Sequence, residues 1–311
     1  HQAPHSWGFL FVGGWVDLNM YKFVIANILF IGIVLTDDLS MDKIKANNLE
    51  FDVRVAGLSN TGDAVILLHG FPQTSHMYQE IMELLSDNNY KVIAPDQRGY
   101  SKGARPKSKN NYKIEYLVED IFLLADEFSF KEFHLVGHDW GAAVGWGAVK
   151  FNPERIISWS ALSVPHIDAL NQAREIDQNQ QKKSRYLKFF NLPFFPELYF
   201  SINNHKNLKS LWNKHSQSQK EEYMKVFSQK GALTAALNWY RANLNRDDIE
   251  KLGEIFKTTQ FIWGNKDMAL GRKGAELTKD YMRGEYSFIE LDVGHWSIQE
   301  DYDTISSLIL N

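Results

Sequence analysis

The chain has 311 residues, 44% apolar and 23% charged, enough to bury a sizeable core in one large domain or one domain with an insertion. Its 34 basic and 38 acidic residues leave a net charge of −4, which gives no reason to expect nucleic acid as a partner. It has no cysteine, so disulfides, a thiol nucleophile and cysteine metal sites are excluded.

Residues 1–40 are expected to be an N-terminal extension outside the fold. After Met20 and Lys22, an apolar run from Phe23 to Leu35 leads into Thr36, Asp37 and Asp38. The run is short for a membrane span and has the length of a signal-peptide h-region, although no small-x-small cleavage site precedes the acidic pair. Two alternatives stand. Residues 20–36 act as a signal or anchor, which makes the protein periplasmic, secreted or membrane-anchored. Otherwise the natural start is Met41 and the protein is cytoplasmic.

From residue 49 the pattern alternates. Leu49 to Val55 reads as a strand, and Ala64 to Leu68 as a buried strand ending in His69-Gly70. Met77 to Leu85 has helical spacing, Lys91 to Pro95 is a strand, and Tyr112 to Phe128 is a helix. Phe133 to Val136 is a strand that runs at once into a helix from Trp140 to Phe151, and Ile156 to Val164 is strand-like. Residues 165–250 lack β-rich runs and read as several helices with aromatic residues throughout. Strands return at Thr259 to Trp263 and Tyr286 to Leu291, and the last helix spans Tyr302 to Leu310. This predicts an α/β core (41–164 and 251–311) with a mostly parallel central sheet, helices on both faces, and a helical cap inserted at 165–250. The basic stretches Lys107 to Lys113 and Lys182 to Lys188 are read as solvated surface.

The chemistry-bearing motif is Gly137-His138-Asp139-Trp140-Gly141, set between an apolar strand and a small-residue helix. It matches a nucleophile elbow, with Asp where lipases and esterases place Ser. Glycines on either side let strand and helix approach, and the central residue sits in strained backbone geometry. The alternative for Asp139 is a plain helix N-cap. His69-Gly70-Phe71-Pro72 follows a strand where this fold supplies one backbone N–H of an oxyanion hole. The expected donors are Phe71 and Trp140. His295, in Val293-Gly294-His295-Trp296, comes after the nucleophile and the acid in chain order and suits a general base. Asp267, after the strand Phe261 to Gly264, is the first choice to orient that base, with Asp292 as runner-up. Asp96-Gln97-Arg98-Gly99-Tyr100-Ser101 is read as shaping the loop beneath the site. His138, His166, His205 and His215 are read as structural or exposed.

These motifs (HGFPQ at 69–73, DQRGYS at 96–101, GHDWGA at 137–142, WGxxD at 263–267 and GHW at 294–296) resemble those of the α/β-hydrolase-fold epoxide hydrolases of bacterial soluble type, over residues 45 to 310. The resemblance implies two cap tyrosines that hydrogen-bond the epoxide oxygen. They correspond here to Tyr186 in Ser184–Pro193, with Tyr199 as fallback, and Tyr240 in Leu237–Arg241. It implies hydrolysis of an apolar epoxide by water to a vicinal diol, through an ester on Asp139, with no metal or organic cofactor. A tyrosine on an aromatic helical stripe is otherwise core. Haloalkane and haloacetate dehalogenases share the Asp nucleophile and form the first rival reading. Against it, Phe71 offers no halide-binding side-chain donor and Trp140 is not the arginine that haloacetate enzymes commonly carry. The second rival is a non-catalytic binding protein on this scaffold.

Overall fold

The computed structural model describes residues 39–244 and 251–310. The stretch expected to be a signal or anchor, at 20–36, lies outside them. Among the described residues, no helix is long and apolar enough to cross a membrane.

The first described element is one the sequence pattern did not suggest. Strand β1 (Ser40–Ala46) begins where the N-terminal extension was expected to end, and pairs antiparallel with β2 (Leu49–Ala56). The turn between them is Asn47-Asn48, both at positive φ (51° and 57°). Asparagine tolerates that region better than most residues, and two such residues match the twist of a tight hairpin.

Then follow β3 (Ala64–Leu68), α1 (Gln79–Asp87), β4 (Lys91–Pro95), α2 (Ile114–Glu127), β5 (Phe133–His138), α3 (Trp140–Phe151) and β6 (Ile156–Leu162). Helix α2 starts two residues later than expected, because Lys113 is extended and Asn243 Oδ1 accepts the Ile114 N–H at 2.8 Å. Strand β6 stops at Leu162, two residues early, because Ser163 turns to φ +75°.

The inserted helices are α4 (Ile167–Ile176), α5 (Gln178–Lys183), α6 (Tyr186–Phe190), α7 (Phe195–Ser210), α8 (Gln217–Phe227) and α9 (Ala232–Asn243). Helix α7 is interrupted at Ile202–His205, where three successive residues take positive φ. The chain then returns to the sheet as β7 (Thr259–Gly264), α10 (Arg272–Thr278), β8 (Tyr286–Leu291), α11 (Ser297–Glu300) and α12 (Tyr302–Leu310).

The eight strands form one sheet in the order β1-β2-β4-β3-β5-β6-β7-β8. β1, β2 and β4 meet antiparallel and every other pair is parallel. β3 is buried at all five positions, the burden of a strand covered on both faces. The register aligns the strand ends that matter. Leu68 pairs with Gly137, His138 with Leu162, Leu162 with Ile262, and Gly264 with Leu291. The loops leaving β3, β5, β6, β7 and β8 therefore open along one edge, the carboxyl edge where open α/β sheets bind ligands.

Buried anchors tie the inserted helices to this edge. Trp239 Nε1 donates to Arg98 O (2.8 Å), and Trp212 Nε1 to Pro72 O (3.0 Å). Gly271 N–H donates to Gln180 Oε1 at 2.7 Å. Arg98 itself is held by a buried two-pronged pair with Asp120, at 2.7 and 2.6 Å. Losing one partner of such a pair strands a buried charge and costs about 3–5 kcal/mol.

Candidate active site

Asp139 sits at φ +52°, ψ −120°, between β5 and α3. A non-glycine residue there stores about 1–3 kcal/mol of backbone strain, which the surroundings must impose. Gly141 shows how: a Cβ there would lie 2.0 Å from Leu68 O, so only glycine lets α3 close onto β3. Asp139 occupies the cap position of α3, yet its side chain makes no capping hydrogen bond. Its Oδ1 instead accepts the Phe71 N–H at 2.8 Å. Gly70 is needed for that approach, since a Cβ there would lie 2.3 Å from Asp139 Cβ. Trp140 is the first residue of α3, and N–H groups of a first helical turn lack intrahelical acceptors.

The other oxygen of Asp139, Oδ2, lies 3.5 Å from His295 Nε2. On the far side of the imidazole, Nδ1 lies 2.8 Å from Asp267 Oδ2. Asp267 is fully buried, and its Oδ1 accepts the N–H groups of Ala269 (2.7 Å) and Leu270 (2.9 Å). Asp292 stands apart. It is exposed and pairs with Lys266 Nζ at 2.8 Å. Of the two candidate acids, only Asp267 touches the histidine.

Charge balance follows from this geometry. Burial alone would raise the Asp267 carboxyl, but His295, Ser163 and the Ala269 N–H outweigh it and hold the pKa at about 2. Burial alone would lower His295, but the two carboxylates, Asp267 foremost, push it up to about 10. Asp139 is held below the usual carboxylate range, because the same histidine overcomes the effect of burial. The resting trio is thus one cation between two anions.

Asp139, Trp140, Tyr186 and Tyr240 line one cavity of about 1440 Å³ between the core and the inserted helices. Tyr240 is on α9 and Tyr186 opens α6, with ring centroids 6.4 Å apart. Tyr240 also packs edge-on against Trp140 (5.0 Å), Phe190 (4.9 Å) and Phe71 (5.6 Å). Desolvation, then the negative charge of Asp139, raises both phenols above their ordinary value. Tyr199, the fallback for Tyr186, is 47% exposed and is not part of the cavity wall.

Residues 63–302 match the family described as alpha/beta hydrolase fold. The chain belongs to the α/β-hydrolase family. It is 32% identical over 281 residues to the AB hydrolase superfamily protein YfhM of Bacillus subtilis, covering 88% of this chain and 98% of that protein. It is 32% identical to epoxide hydrolase 4 of Homo sapiens, covering 86% of this chain and 76% of that protein. A crystal structure of Bacillus megaterium epoxide hydrolase in complex with an inhibitor superposes with a TM-score of 0.78 at 24% identity, over 86% of this chain and 98% of that one, and shares the fold. The chain thus sits among the epoxide hydrolases of this superfamily.

Within this α/β-hydrolase, sequence reading missed Ser163. Its Oγ donates to Asp267 Oδ2 (2.7 Å) and lies 2.9 Å from His295 Nδ1, closing a triangle of polar atoms. No motif announces it; the only cue is its place just after a buried strand. His138 Nε2 donates to the His295 carbonyl at 2.8 Å and holds the loop that carries the imidazole. The Asp96–Ser101 segment acts as a brace. Gln97 bonds the ring and the carbonyl of His69 (3.1 and 2.5 Å), and Asp96 Oδ1 accepts the Ser75 N–H (2.8 Å), which fixes the loop bearing Phe71.

Proposed function

We propose that this protein hydrolyses epoxides to vicinal diols through an ester on Asp139. The observation that carries the reading is that one cavity is lined by a half-buried carboxylate and two phenols. An epoxide carbon is a strained electrophile, but its oxygen leaves poorly as an alkoxide. In this reading Tyr186 and Tyr240 donate to that oxygen while Asp139 attacks the carbon. A serine in place of Asp139 would form an ether, which water does not readily cleave. An aspartyl ester has a hydrolytic exit.

The protons balance across the cycle. At rest His295 carries a proton between two carboxylates. Opening the ring consumes one proton at the new alcohol and turns Asp139 into a neutral ester. With that anion gone, the imidazolium loses one of its two stabilising charges, and the proton that balances the alcohol leaves His295. Neutral His295, oriented by Asp267, then takes a proton from water as it attacks the ester carbonyl. The oxyanion formed there is held by the Phe71 N–H, which already donates to Oδ1, and by the Trp140 N–H. Release of the diol restores the Asp139 carboxylate and the protonated His295.

The test is diol formation from styrene oxide, with halide release from 1-bromobutane measured on the same preparation. Diol without halide, abolished in Asp139→Ala, is expected. Halide without diol would replace the reading with dehalogenation. Neither product, with ligand binding retained in Asp139→Ala, would point to a binding protein.

A further inference from the structure

The first half of α7 turns its apolar face outward. Phe195, Leu198, Tyr199 and Ile202 recur at i, i+3, i+4 and i+7, a spacing that ordinarily faces a core. Here they are 64%, 61%, 47% and 41% exposed, and Phe194, just before the helix, is 83% exposed. The other face is already engaged. Pro196 and Phe200 are buried, and Glu197 is gripped by Arg241 through two bonds of 2.6 and 2.8 Å. The helix cannot turn its stripe inward without breaking those contacts. A contiguous exposed apolar patch of this kind marks a surface that meets something.

Charge indicates what it meets. Residues 178–216 hold seven basic side chains and one acid, Glu197, in a chain whose net charge is −4. Lys183 is engaged inward on the Asp267 carbonyl, which leaves Lys182, Arg185, Lys188, Lys206, Lys209 and Lys214 for the surface. Arg241 already pairs with that acid. Exposed Lys188 adjoins Phe189, whose ring packs on Tyr199 at 5.4 Å. Asn207 Nδ2 donates to Tyr199 O at 2.9 Å, which brings exposed Lys206 beside the stripe. A second copy docking here would set one basic belt against another. An apolar stripe with a cationic rim fits a helix lying in the headgroup region of an anionic bilayer.

We propose that this face of α7 is a docking surface for anionic lipid membranes. Phe194, Phe195, Leu198 and Ile202 enter the boundary between headgroups and acyl chains, and the lysines rest on phosphates. Lys188 and Asn191 line the cavity, so the docked face adjoins its wall, on the side from which an apolar substrate dissolved in the bilayer would arrive.

The absence of cysteine makes the test local. In the full chain, Leu198→Cys carries a polarity-sensitive fluorophore, and Asp87→Cys, exposed at the end of α1, carries the control. Vesicles are phosphatidylcholine alone or with phosphatidylglycerol. The label at 198 is expected to shift to the blue and to be quenched by lipid-borne nitroxide with the anionic vesicles only, while the label at 87 stays unchanged. Adding Phe194→Ser and Phe195→Ser should raise the lipid concentration at half-signal by at least about tenfold, with diol formation from dissolved styrene oxide retained. The proposal is overturned by a label at 198 that stays open to aqueous iodide on vesicles, or by an equal shift at 87. An equal response to phosphatidylcholine alone, or a shift that follows protein concentration without lipid, also overturns it; the latter would make a second copy the occupant.

Discussion

Ser163→Ala removes one hydroxyl from the triangle behind His295 and leaves the rest of the site in place. Asp267 Oδ2 then keeps only the His295 contact at 2.8 Å, while Oδ1 keeps its backbone donors at 2.7 and 2.9 Å. A hydrogen bond to a charged group is worth about 1.5–3 kcal/mol. Three donors remain on the carboxylate, so the lower end applies, and about 1.5 kcal/mol corresponds to roughly tenfold in rate. In the proposed cycle His295 and Asp267 act in ester hydrolysis, so the loss should fall on that step, and ring opening should keep its rate. Single-turnover mixing with styrene oxide, quenched and read by protein mass, separates the ester from its breakdown. Backbone strain is the competing explanation, since Ser163 lies at φ +75°. Glycine relieves that strain by about 1 kcal/mol relative to alanine, so Ser163→Gly should melt higher than Ser163→Ala while hydrolysing the ester as slowly. The reasoning fails if both variants hydrolyse the ester at the parental rate, or if glycine restores what alanine lost.

Other outcomes follow from the same geometry. His295→Gln should form ester in one burst and then stall, with steady-state turnover down about 10²–10⁴-fold; parental turnover would remove His295 from the base role. Tyr240→Phe and Tyr186→Phe should each slow ring opening by about tenfold or more and together far more than either alone, measured as the single-turnover alkylation rate; an unchanged double variant would return both rings to packing. In Asp139→Asn the His295 pKa should drop below its resting value of about 10, because one of its two supporting anions is gone. Ring ¹⁵N shifts followed against pH measure this, and an unmoved titration would refute the charge balance described. Asp267 is depressed to about 2, so its contribution is present above the unfolded carboxyl value near pH 4 and is lost as pH falls toward 2. It amounts to about 2 kcal/mol; denaturant unfolding of Asp267→Asn should lose correspondingly less stability between pH 4 and 2 than the parent.

Where the backbone allows only certain residues, the chain could be read directly. Gly70 and Gly141 stand where a Cβ would strike Asp139 or Leu68 O, so they surface as the motifs His69-Gly70 and Asp139-Trp140-Gly141. β3 reads as a strand because burial on both faces demands an unbroken apolar run. The α/β alternation and the helical insertion were legible for the same reason: periodicity follows from local burial. β1 escaped because its outer positions are exposed and half polar, leaving the Asn47-Asn48 turn as its only signal.

Other features depend on which strand ends meet, and no local pattern encodes that. Asp267 and Asp292 both follow strands near the C-terminus, but the loop after β7 curls Asp267 beneath the imidazole, while Asp292 stays in solvent with Lys266. Tyr186 and Tyr199 lie in the same aromatic segment, and only the packing of α6 against α9 puts the former in the cavity. Ser163 joins the histidine and its acid because Leu162, at the end of β6, pairs with His138 and Ile262 on either side. The outward stripe of α7 lies in a segment legible from sequence only as helical and rich in aromatic residues; its exposure appears only once Phe200 and the Glu197–Arg241 pair have claimed the inner face. The sequence by itself determined the elbow and the pattern of strands β2 to β8, because each rests on short-range sterics or burial. Only the tertiary structure decided which acid meets the histidine, which tyrosine lines the cavity and which helix face stays exposed, because those outcomes are set by groups distant in the chain competing for the same space.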